Sequence, residues 1–393
     1  MLATSINITR VVTLALSLQV SLFIVLNALS GAELISAGVG ASLRSSLHFF
    51  PTTVILAIAA FSGVKSFSLQ QDGWLVKLLV GFLAFSLSLV SAILNQINSE
   101  EVLKIIVFFV HFANVFLVIP FLLSIVDYKE FLKRFSSFYC FAVFSVSVVS
   151  FYLYFSGYSP YSRLGYPFIP GVYSYMSVLA FILSAIVLRN LWLVLFFGLS
   201  IFLAGSRVGM VLAGVVIAIV FMSSFDFRKM IVACLFVLLG VFSWGWIGAY
   251  SKPYTVDRID ITSGRSEIWR SAYDMLEESP VFGYAKEITF GENEYGESLV
   301  AHNSFIDLSL TYGLFFSLLA YIFWVMLFLS AWNKRIYLYD RALIFLLFFV
   351  VLSKSLISNV FWTNMGDGVT YASLILLCAA VYSKRNENAF ATG

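Results

Sequence analysis

Charged side chains are scarce in this chain. Asp, Glu, Lys and Arg make up only 11% of its 393 residues, hydrophobic residues make up 61%, and the mean hydropathy is +0.94. A soluble globular domain carries roughly 25% charged residues, so that class is excluded. Cysteine and histidine are also rare, at three each. Cys140, Cys234 and Cys378 all fall in apolar runs, a pattern that predicts buried free thiols rather than disulfides or a thiolate metal site. There is no phosphate-cradling glycine loop, dinucleotide fingerprint or nucleophile elbow. No basic tail or aromatic-interleaved basic run is present either, and the net charge of +3 gives no sign of a nucleic-acid partner.

What the chain has in abundance is continuous apolar sequence. Each helical span needs roughly 20 apolar residues to cross a hydrocarbon layer, and its backbone must satisfy its own hydrogen bonds. Unbroken rather than alternating hydrophobicity predicts helices, not a barrel. Spans are expected near 11–29, 47–63, 74–94, 103–126, 136–155, 171–188, 190–204, 208–223, 230–249, 312–331, 341–358 and 369–383. The expected fold is an all-α polytopic membrane protein of about 12 transmembrane helices, a single integral membrane domain over 1–393. The first apolar stretch shows no small-residue cleavage site before Gly31 and reads as the first span.

Basic residues set the orientation. With both termini cytoplasmic, the inner connections collect 14 of the 24 basic residues, in short loops such as DYKEFLKRF and WNKRIYLYDR. Arg207 then faces outward. It lies in AGSRVG, between NLWLVLFFGLSIFL and MVLAGVVIAIVFM, two spans short enough to extend beyond these bounds or to thin the bilayer locally. An arginine here is either an interfacial anchor snorkelling to headgroups or part of a site.

One outer connection is long and polar. Residues 250–302 hold ten of the 21 acidic residues, and a long loop with its own pattern is usually functional. Within it, SGRSEIWRSAYDMLEESPVFGY reads as a helix with Ser263 as N-cap and Pro280 and Gly283 as its stop. One apolar face suits packing on the membrane or the bundle. Arg265 and Trp269 share a side, four residues apart, with Arg270 next along the chain. Arg265 opposes the helix dipole, which argues against a capping role; a salt bridge to Asp260 or Glu267 is the structural alternative. The following GYAKEITFGENEYGESLVAHN reads as mobile and delivers His302 and Asn303 to the next helix. A second outer stretch, FSGYSPYSRLGYPFIPGVYSYM, carries Arg163.

The other charged groups have plainer readings. His48 and His111 lie in or beside apolar runs and read as packed histidines. Lys354, in VVLSKSLISNV, is near enough to the outer end of its span to snorkel, although it also suits an ion pathway. The glutamates of 277–297 repeat no ligand spacing and read as a solvated face rather than a metal site. Guanidiniums grip phosphate oxygens bidentately without losing charge, and a histidine supplies a base near neutral pH. Together these residue types suit a lipid-linked pyrophosphate sugar held by arginines, with His302 accepting a proton from the attacking sugar hydroxyl.

SRVG after a short span, GRSEIW then SPVFGY in the large loop, and AHNSFIDLSLTYG before a span resemble the O-antigen ligase and polysaccharide polymerase superfamily. His302, Asn303 and Gly313 match the spacing of its histidine motif; SRLGYPFIPGVYSYM is similar to its arginine-glycine segment, without the asparagines often found there. The resemblance covers about 160–330. It implies a GT-C-like fold, no cofactor or metal, and an active site on the periplasmic face of the bacterial inner membrane. The donor would be an undecaprenyl-pyrophosphate-linked glycan, with membrane lipid, a chain-length regulator and a flippase as partners. It points to Arg207, Arg265 and His302 as catalytic and to Arg163 as substrate-binding; Asn303, Trp269 and Arg270, beside them in the sequence, are the further candidate substrate-binding residues. LFFSLLAY after Gly313 departs from the ligase pattern and favours an O-antigen polymerase over a ligase. A transporter of lipid-linked sugars is the competing class, but it would carry internal repeats and midplane polar sites, which the sequence does not display. A non-catalytic assembly subunit is the third.

Overall fold

The computed structural model describes residues 2–36, 118–160, 164–168, 170–223, 265–284, 288–290, 301, 303–335, 337–355 and 368–383, with positions 39, 43, 47 and 86. Among the described residues the fold is all-helical. In chain order the helices are α1 (Leu2–Gly31), α2 (Ile119–Ser124), α3 (Tyr128–Phe155), α4 (Pro170–Ile182), α5 (Leu191–Leu203), α6 (Arg207–Ser223), α7 (Arg265–Glu278), α8 (Ser304–Tyr312), α9 (Leu314–Lys334), α10 (Leu338–Ser355) and α11 (Gly368–Tyr382). A π-helical segment, Leu183–Leu188, continues α4.

Four of the described helices are long and apolar enough to cross a membrane: Thr9–Gly31, Tyr128–Phe155, Gly171–Leu188 and Leu314–Lys334. Leu191–Leu203, Gly209–Ile219 and Gly368–Tyr382 are shorter apolar helices. Apart from positions 47 and 86, the expected spans at 47–63, 74–94 and 230–249, and most of 103–126, lie outside the described residues. Two details differ from the sequence reading. α5 ends at Leu203 after 13 residues rather than lengthening. The span expected from 312 begins instead at Leu314, because Gly313 at φ 91° separates α8 from α9.

Burial explains the layering. α4 is buried from Tyr173 to Ser184 and α11 from Gly368 to Val381, as helices that are apolar all round must be. α3 instead buries one stripe, Phe131, Phe135, Tyr139, Val143 and Val146, and exposes Phe141, Val148, Tyr152 and Phe155, a lipid-facing side in a membrane protein. Small and hydroxylated residues let the helices approach. Ser147 of α3 and Ser177 and Ser200 of α4 and α5 gather around the buried Tyr173 hydroxyl. Cys140 and Cys378 are buried free thiols, as expected; Cys234 lies outside the described residues.

The helix ends sort into two groups. At one end Glu130, in the first turn of α3, pairs with Arg134 at 2.9 Å and with Arg10 of α1 at 3.9 Å. There too Arg335 follows α9, 4% exposed, and donates to the carbonyls of Ala379 (3.2 Å) and Ala380 (2.7 Å) and to Ser383 Oγ (3.1 Å) at the end of α11. Its guanidinium lies 3.7 Å from the Tyr128 ring centroid, so one side chain caps α11 and fastens it to α3 and α9. Helix rise carries α1 from Arg10 to Gly31, and α9 from Arg335 back to Leu314, about 30 Å to the opposite end. Gly31 there sits so close to Pro167 that a β-carbon would strike its carbonyl oxygen. Leu164 N donates to Leu203 O at 3.0 Å, joining the segment before α4 to the end of α5. The starts of α6 and α9 belong to this second end.

Candidate functional site

AGSRVG is a complete helix-to-helix junction. Gly205 takes the left-handed conformation (φ 62°) that ends α5. Ser206 then caps α6, its Oγ accepting from Gly209 N at 3.2 Å. A β-carbon at Gly209 would collide with Ser174 Oγ, so this glycine lets α6 close on α4. Arg207 is therefore the first residue of α6 rather than a turn residue. A cation there opposes the helix dipole, so stability of α6 does not account for it. Its side chain lies outside the described residues, as does all of Arg163. Arg163 is nonetheless the neighbour of Leu164, whose bond to Leu203 ties that segment to the AGSRVG junction.

A second unit forms from α7 and α8. Arg265 opens α7, again at the positive end of a helix. Ala272 and Leu276 of α7 join Ala301, Ile306 and Leu310 in a small satellite core, with Ile268, Trp269, Met275 and Tyr284 packed around it. The Trp269 indole N–H donates to Ala301 O at 2.8 Å. Residues 306 and 310 are one turn apart on one face of α8; Leu308 and Tyr312 lie on the other face and enter the main bundle core. This nine-residue helix thus mortises the loop unit into the bundle. Of the two surfaces expected for α7, the membrane or the bundle, the structure shows contact with α8.

Two glycines seal the joint. Gly283 (φ 64°) lies against the backbone of Leu310, Thr311 and Gly313, while Gly313 lies against Val281 and Phe282, with no room for a β-carbon at either. Two backbone hydrogen bonds cross there, Tyr284 N to Leu310 O at 2.7 Å and Leu314 N to Pro280 O at 2.8 Å. Ser279 Oγ donates to Gly283 O at 2.9 Å. The Tyr284 hydroxyl donates to Met275 O (2.9 Å) and approaches Glu278 at 3.2 Å. Burial, then the hydrogen bond and charge of Glu278, raise the Tyr284 phenol above its ordinary pKa, so it stays a neutral donor at physiological pH. SPVFGY and the glycine that follows His302 at motif distance are two halves of one contact.

His302 itself lies outside the described residues, between Ala301 and Asn303. Asn303 caps α8, its Oδ1 accepting from Phe305 N (3.0 Å) and Ile306 N (3.3 Å). Asn303 and Trp269, expected to touch substrate, thus have architectural work on either side of position 302. Arg270 is exposed on α7. Ser263, the Arg265 side chain and the alternative ion pairs to Asp260 and Glu267 lie outside the described residues.

Two expectations are corrected. Lys354 does not snorkel; it is 2% exposed, enclosed within the bundle at the end of α10. The stretch after α7 is not mobile throughout, because Ile288 and Phe290 pack on the satellite core. Glu277 and Glu278 are exposed, as a solvated face requires. The structure therefore brings the first turns of α7 to Ala301, and Leu164 to the end of α5, just before the AGSRVG junction. α6 packs chiefly on α4, α5 and α10.

Residues 192–319 match the family model described as O-antigen ligase. The match supports membership of the O-antigen ligase and polysaccharide polymerase superfamily. A comparison with curated proteins found no match. The O-antigen ligase segment runs from α5 into α9 and so contains Arg207, Arg265, Trp269, Gly283, His302, Asn303 and Gly313, but not Arg163. Both structural units of the site, the AGSRVG junction and the glycine-sealed α7–α8 pair, fall within it. The matched segment is similar to the O-antigen ligase family, and the apolar helices are those of a multi-pass membrane protein.

Proposed function

We propose that this protein polymerises undecaprenyl-pyrophosphate-linked oligosaccharide repeat units into O-antigen or a related surface polysaccharide, on the periplasmic face of the inner membrane. Arg207 and Arg265, with Arg163 in support, hold the donor pyrophosphate. The helix N-termini at which two of them sit add favourable dipoles for an anion. His302 accepts the proton of an acceptor sugar hydroxyl as its oxygen bonds to the donor anomeric carbon. The bond from that carbon to the pyrophosphate oxygen breaks, and undecaprenyl pyrophosphate leaves as the anion stabilised by the arginines. The activated donor supplies the energy, and the step invokes neither metal nor cofactor.

The observation that carries this reading is the Trp269–Ala301 bond, which draws the helix opened by Arg265 onto the residue before His302. Ligation of finished glycan to lipid A-core is the second reading, favoured by the description of the matching family; the sequence after Gly313 leans towards polymerisation. Deleting the gene and running surface glycan on a gel separates them. Single-repeat lipopolysaccharide is expected. Bare core with accumulated carrier-linked polymer would establish the ligase instead. Complementation with His302→Ala or Arg207→Ala is expected to leave chains unextended although the protein reaches the membrane, and normal long chains in either variant would overturn the catalytic reading.

A further inference from the structure

Hydroxyls buried inside a membrane bundle need hydrogen-bond partners, because no bulk solvent reaches them. A helical serine can find one in the carbonyl four residues back, as Ser145 does with Phe141 O (2.9 Å) and Ser200 with Phe196 O (2.9 Å). Ser147 of α3 and Ser177 of α4 do not. Their Oγ atoms and the Tyr173 hydroxyl of α4 are sealed from solvent and, among the described residues, have no hydrogen-bond partner.

These groups share one neighbourhood. Ser147, Ser177 and Ser200 lie around the Tyr173 hydroxyl, close enough to act on it electrostatically yet outside direct hydrogen-bond geometry. Hydrogen-bond valence decides what suits such a cage. Ser200 already donates its proton to Phe196 O and can only accept, whereas Tyr173, Ser147 and Ser177 can each donate or accept. A water molecule donates two hydrogen bonds and accepts two, and buried waters make about three bonds to groups of this kind. An apolar occupant would leave the hydroxyls unsatisfied, and an ion would meet no formal charge among the four.

We propose that these four hydroxyls form a binding site for an internal water molecule. The water donates to Ser200 Oγ and to one further hydroxyl, accepts from the other two, and so fastens α3, α4 and α5 together. Ser200 lies one turn ahead of the AGSRVG junction, so the water braces the end of α5 from which α6 departs. The site is independent of the reaction proposed above.

Two measurements on the full-length protein test it, and the first needs no substitution. With tyrosine and serine labelled by carbon-13, water-edited solid-state NMR in lipid membranes is expected to show transfer of water magnetisation to the Tyr173 phenol carbon. No transfer there would overturn the proposal. The second measurement turns on sign. Deleting a buried hydroxyl that has no partner leaves a protein as stable or more so, whereas deleting one that binds an ordered water weakens it. Tyr173→Phe and Ser147→Ala are each expected to lower the melting temperature of the purified protein by about 2 °C or more. An unchanged or raised melting temperature in either variant would overturn the water site, and where a variant fails to accumulate the NMR measurement decides alone.

Discussion

Replacing Gly313 by alanine tests the structural logic of the histidine motif. Gly313 holds φ 91° and ψ 160°, a backbone region that is essentially glycine-only, and a β-carbon there would overlap the Val281 carbonyl. The conformational strain is about 1–3 kcal/mol, and forcing an extra carbon into a packed contact costs a further 1–3 kcal/mol or so. The opposing atoms are backbone, so no side chain can swing aside. The turn after α7 must then separate from the α8–α9 junction, losing the Leu314–Pro280 and Tyr284–Leu310 hydrogen bonds. The bundle core, to which the other face of α8 contributes, is left intact. The expected result is protein that still inserts and accumulates in the membrane, with a loop cut faster by added protease and glycan extension reduced at least tenfold, since about 1.4 kcal/mol is a factor of ten. Wild-type protease resistance together with wild-type extension would refute the claim that this glycine holds the site together.

Trp269→Phe keeps most of the aromatic packing but deletes the donor to the buried Ala301 carbonyl. The cost is about 1–3 kcal/mol, expected as a fall in kcat in membranes at unchanged protein level, and an unaltered rate would dissociate α7 from the reaction. Arg335→Ala removes the clamp on α11 at the opposite end. The extracted protein is expected to lose thermal stability while position 302 keeps its bonded neighbours, so a variant with normal melting but no activity would contradict this assignment.

Legibility in the sequence followed the physics of each feature. The apolar runs gave α5, α6 and α11 to within a residue of their bounds, and the ends but not the starts of α1 and α3, whose helices begin with polar turns ahead of the apolar stretch. The loop helix was readable from its one apolar face and from Pro280 and Gly283. The partner of that face was not, because satellite-core contacts join residues from 272 to 310 across a polar stretch that carries no pairing code. Gly283 was legible as a stop but not as half of a contact with Gly313, since two glycines 30 positions apart show no sign in the sequence that their backbones touch. Lys354 was misplaced because hydropathy reports depth along a span and not which side of the helix faces protein. Arg335 was counted only as an orienting charge, whereas its geometry makes it a clasp.

Clamping both ends of a loop also has an evolutionary consequence. Tyr284 is bonded to Leu310, and Ala301 to Trp269, so the chain leaves and re-enters the same helix pair at fixed points. Closing a loop costs only about 0.6 kcal/mol more for each doubling of its length. Beyond Ile288 and Phe290, which pack on the satellite core, the stretch between these anchors can therefore lengthen, shorten or change its side chains without displacing the residues around position 302.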